Sequence, residues 1–101
     1  MALKAAFVFV APDVDPKQHR KTVVTPQVEL TAVAVNDYDE AVAVCQELVE
    51  EGIVAFELCG GFGHAGAARV AEAVGDRAAV GVVRFDNHPG LDFKSGDELF
   101  Q

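Results

Sequence analysis

A chain of 101 residues, half of them hydrophobic and 24% charged, has the length expected of one globular domain rather than two, and its composition excludes disorder. Eight lysines and arginines against sixteen aspartates and glutamates leave a net charge of −8, which argues against nucleic acid or an anionic membrane as a partner bound through bulk electrostatics. No apolar run approaches the ~18 residues of a membrane span, so any anion site must be local.

The run Ala5–Val10, closed by Ala11-Pro12-Asp13, has the length and flanks of a buried strand. Asp15-Pro16 has the form of an N-cap followed by a first-turn proline, so Lys17–Val24, with His19 and Arg20, reads either as a short solvated helix or as a loop. Val28–Val35 is rich in β-branched residues and reads as the second strand. From Tyr38 to Glu51 apolar residues recur at three- and four-residue steps; Asp37 and Glu40 resemble a capping box and Gly52 a stop, which predicts a helix. Ile53–Cys59 is the third strand, Gly60–Gly66 a glycine-rich loop, Ala67–Val74 a short helix stopped at Gly75, and Ala78–Phe85 the fourth strand. The tail Asp86–Gln101 holds Pro89-Gly90 and Ser95-Gly96 and reads as turns with a last ordered piece at Glu98–Phe100.

The expected fold is therefore α/β: a four-stranded, mainly parallel sheet in one domain, with two short helices and a third if Lys17–Val24 is helical. If that segment is a loop, the first strand is free to run antiparallel. Cys45 and Cys59 are too few for a disulfide scaffold and match no common zinc spacing, and the start MALKAAFVFVAPDVD lacks a signal-like pattern. A cytoplasmic protein with reduced thiols is expected.

In a parallel sheet the segments after the strands gather at one edge, where ligands usually bind. After the third strand, Gly60, Gly61 and Gly63 allow close backbone approach, and the following helix start offers unpaired N–H groups to a phosphate or carboxylate. The pattern is neither GxGxxG nor Walker A, and the alternative is a tight turn that needs glycine for packing. After the fourth strand, Arg84 suits a forked pairing with an anion, while Asp86 and His88, with His64 from the adjacent loop, are groups able to hold or move a proton. Glu57, inside the apolar strand IVAFELC, needs a partner: it either serves a polar site as base or anchor, or pairs structurally with Arg84. Glu57, His64 and His88 are thus the candidate catalytic groups, and Gly60, Gly61, Gly63, Arg84 and Asp86 the candidate ligand-binding ones. A Cys59 thiolate with His64 as base, and a metal held by Cys59, His64, Asp86 and His88, are the lesser alternatives; no metal or cofactor is expected, and Cys45 reads as core.

The segments AAFVFVAP, ELCGGFGHAG, VGVVRFDNHPG and KSGDELF resemble, over nearly the whole chain, a family of small bacterial proteins built on a domain of unknown function. The stretch NDYDEAVAVCQELVEEGIVAFELCGG within Asn36–Phe85 is similar to a βαβ quarter of the phosphate-binding aldolase barrels of the 2-keto-3-deoxy-6-phosphogluconate type, with Glu57 at the position of their strand glutamate. No lysine lies on a predicted strand after Lys4, so that resemblance implies architecture and supplies no Schiff-base nucleophile.

Two functions follow as expectations: an enzyme or binding protein for a small anionic molecule at the C-terminal strand edge, or a non-catalytic module that associates with itself or another protein. Short helices leave part of one sheet face open, bearing Phe7 and Phe9 or Val8 and Val10, and an open apolar face predicts a homo-oligomer.

Overall fold

The computed structural model describes residues 2–101. Its elements, in order, are β1 (Leu3–Val10), β2 (Arg20–Val24), β3 (Val28–Val35), α1 (Tyr38–Glu50), β4 (Ala55–Leu58), α2 (His64–Val74), β5 (Ala79–Val82) and α3 (Gly96–Phe100). The five strands form one sheet in the order β2-β3-β1-β4-β5. β1 runs parallel to both β3 and β4, and β4 parallel to β5, so four strands share a direction. The sheet is open, and β3 and β4, which α1 connects, are not neighbours, since β1 lies between them.

The sheet has one strand more than the sequence pattern implies. Asp15-Pro16 does initiate a turn: Asp15 Oδ1 accepts the Lys17 N–H at 2.9 Å and its carbonyl accepts the Gln18 and His19 N–H groups. That turn does not propagate into a helix. Thr22, Val23 and Val24 are β-branched and disfavoured in helices, and β3 offers a free edge; β2 pairs with it antiparallel, Thr22 and Thr31 hydroxyls meeting at 2.8 Å. The antiparallel strand is therefore β2, and the first strand runs parallel to its neighbours.

α1 starts where its sequence signals start. Asp37 Oδ1 accepts the Glu40 N–H at 2.9 Å, while Glu40 Oε1 reaches one residue past the cap to the Asn36 N–H at 2.8 Å. Gly52, just past its end, has φ of 101°, a left-handed geometry suited to glycine. The crossovers β3 to β4 and β4 to β5 step the same way across the sheet, so a common hand puts α1 and α2 on one face, where they pack on each other. Beneath them lies the core, with Val8, Val33, Phe56 and Leu58 from the sheet and Leu48 and Val70 from the helices.

Strand alternation sends the other residues to the opposite face, which no helix covers. Phe7 and Phe9, with ring centroids 6.4 Å apart, stand there on β1, and Val8 and Val10 pack toward the helices. Among the described residues, no helix is long and apolar enough to cross a membrane.

Candidate functional site

The C-terminal ends of the four parallel strands do meet at one edge, and the loops after β4 and β5 lie side by side there. The Arg84 guanidinium holds Asp86, with Nε to Oδ1 at 2.7 Å, and lies against the His64 ring, with Nη1 to Nδ1 at 3.0 Å. His64, Arg84 and Asp86 are exposed and form one cluster. His88 stands apart: its ring is tilted on Phe85 at 4.7 Å and its Nδ1 accepts the Gly90 N–H at 2.9 Å.

The glycine loop is occupied by the chain's own tail. Gly60, Gly61 and Gly63 are buried, Gly60 beneath the Phe85 and His88 rings and Gly63 beneath the Asp97 carboxylate. Gly96 crosses Gly61 so closely that a Cβ on it would lie 1.7 Å from the Gly61 carbonyl oxygen. The start of α2, where the sequence suggests an anion, receives Asp97: Oδ2 accepts the Ala65 N–H at 2.9 Å and Oδ1 the Gly66 N–H at 3.3 Å. Tyr38 completes the knot, its hydroxyl donating to Asp97 Oδ1 at 2.9 Å and accepting the Gly63 N–H at 3.0 Å. Burial drives the Tyr38 phenol well above its ordinary value, so it remains a donor. Burial also pushes the Asp97 carboxyl up, but the Ala65, Tyr38 and Gly66 hydrogen bonds and the neighbouring His64 outweigh it and hold it below the usual carboxylate range.

Tyr38 and Asp97 are the organising groups of this edge, and neither stands out as a site residue in the sequence. The available signal is Ser95 with Glu98, a capping box that forms, with Ser95 Oγ accepting the Asp97 N–H at 3.2 Å and Glu98 Oε2 the Ser95 N–H at 3.0 Å. It marks the start of α3 and so orients Asp97.

Glu57 is not at this edge. Phe56 and Leu58 point into the core, which sends Glu57 to the open face, exposed, and the Glu57–Arg84 pairing does not form. Among the described residues Glu57 makes no ion pair. Cys59 is turned inward, its sulfur accepting the Val10 N–H at 3.4 Å and the Gly61 N–H at 3.2 Å. Cys59, His64, Asp86 and His88 do not converge: among the described residues no three His, Cys, Asp or Glu side chains could hold one metal ion. Cys45 is fully buried, and burial pushes its thiol up to about 12.

Residues 3–98 match the family described as "Family of unknown function (DUF6506)". No curated protein and no solved structure matches the chain.

Proposed function

The chain belongs to the DUF6506 family over residues 3–98, and from that premise we propose that it acts as a non-catalytic, self-associating module. The observation that carries this reading is the uncovered sheet face, on which Phe7, Phe9, Leu30 and Ala32 stand in register with no helix over them. Contiguous apolar surface of this kind is rare on a monomer and common at interfaces. The filled glycine loop supports the same reading, because its close contacts serve the packing of the tail. Both cysteines are unpaired, which suits a reducing compartment, and the assembly is proposed to work in the cytoplasm. Light scattering on the wild type should give twice the 10.7 kDa chain mass at micromolar concentration, and Phe7→Asp should give the single-chain mass. A monomeric wild type overturns the reading.

A second reading is favoured by the exposed contact of Arg84 with His64 at the strand ends, which gives a small anionic molecule a guanidinium and an imidazole on one side. It makes no use of Glu57, which lies on the open face. A thermal-shift screen of phosphorylated sugars, nucleotides and small carboxylates tests it: a compound that raises the melting temperature of the wild type and not of Arg84→Ala supports it, and no such compound removes it.

A further inference from the structure

The open face carries apolar side chains with a charge at either side. Strand pairing aligns its side chains in rows. One row is Lys21 on β2, Ala32 on β3, Phe7 on β1 and Glu57 on β4. The next, two residues away, is Val23, Leu30, Ala5 and Ala55. On β3 and β1, Ala34 and Phe9 form a third. The first row ends in opposite charges, and in the second the large Val23 and Leu30 stand on one side and the small Ala5 and Ala55 on the other. Lys21 and Glu57 are exposed and three strand spacings apart, roughly 14 Å, too far to meet within one chain. Lys21 lines, with Phe9 and Ala32, a cavity of about 280 Å³ on this face, so its side chain lies on the apolar side of the sheet.

Resting on the self-association reading, we propose that a second copy of this chain covers the face, related by a two-fold axis parallel to the strands and running between β1 and β3. Rotation about such an axis lays β1 on β3 of the other copy and β2 on β4, each row remaining at its own level. Phe7 then faces Ala32 and Val23 faces Ala55, a large side chain meeting a small one in each case, as interdigitating sheets about 10 Å apart require, while Ala5 and Ala34 are already buried within the single chain. Lys21 of each copy faces Glu57 of the other, so two charges that make no ion pair among the described residues of one chain are paired twice over in the dimer. β5 lies outside the overlap, and its face-side residues Ala79 and Gly81 are small and exposed. An axis perpendicular to the strands at the first row's level sets Lys21 on Lys21 and Glu57 on Glu57, and a lipid surface offers Glu57 no counter-charge.

The experiment is charge reversal, read by sedimentation equilibrium on the full chain, with circular dichroism to verify folding. Lys21→Glu sets Glu against Glu57 across the interface, and Glu57→Lys sets Lys against Lys21; each should weaken dimerisation at least about tenfold. The double variant restores opposite charges and should recover dimerisation, and an equimolar mixture of the two single variants should form heterodimers in preference to either homodimer. A wild-type dimer indifferent to both reversals overturns this arrangement and leaves self-association standing by another surface. A monomeric wild type, its face free for a different protein or a membrane, overturns both.

Discussion

Tyr38 and Asp97 tie three distant segments together: the start of α1, the loop before α2 and the tail. Tyr38→Phe leaves the buried Gly63 N–H without an acceptor and removes a donor from Asp97, a loss of about 1–3 kcal/mol in an unfolding titration. Asp97→Ala uncaps the first turn of α2 and should cost about 1 kcal/mol. Because the folded chain holds the Asp97 carboxyl below its unfolded value, this contribution is complete above about pH 4 and lost as the pH falls through the lowered value. The stability of Asp97→Asn measured against pH should accordingly fall less steeply in acid than that of the wild type. Arg84→Ala should move stability by less than about 0.5 kcal/mol, since its partners His64 and Asp86 are exposed and Glu57 does not depend on it. At this scale the sequence is a partial guide. It brings His64, Arg84 and Asp86 to one edge correctly, because all three follow parallel strands. It misjudges Glu57, because an apolar strand with one face uncovered looks the same in sequence as one buried on both. It overlooks Asp97, because a carboxylate twelve residues beyond the last predicted strand carries no periodic signal.

At the level of elements, β3 and α1 are read from the sequence with their boundaries nearly right, since β-branched density and three-to-four spacing are local properties. β2 is not, because what makes Arg20–Val24 a strand is the free edge of β3, a tertiary fact. The tail reads as turns with a last ordered piece at Glu98–Phe100, where α3 lies, and its seat comes from contacts with the glycine loop: a methyl group at Gly96 would meet the Gly61 carbonyl, so Gly96→Ala should unseat it and lower the melting temperature by several degrees. The strand order makes a further statement about local stability. β1 is hydrogen-bonded on both sides, whereas β2 and β5 are edges. In native-state hydrogen exchange the Ala6 and Val8 amides should be among the slowest, and those of β2 among the fastest strand amides unless a second copy protects them.

As a whole molecule, the chain is a half-covered sheet. Both crossovers step in one direction, so both main helices lie on one face, and among the described residues no helix lies on the other. The small size makes this consequential, because a domain of this length has little other core to draw on. The sequence already implies an open face, and only the pairing registers decide that Phe7 and Phe9 occupy it, with Lys21 and Glu57 at matching levels. That face is the central claim, and the most direct measurement is isotope-filtered NMR on a sample in which half the chains carry labels. Filtered contacts between copies are expected from the Phe7 ring to the Ala32 methyl. A dimer whose filtered contacts arise instead from the helical face, or a sample with none at all, would contradict it.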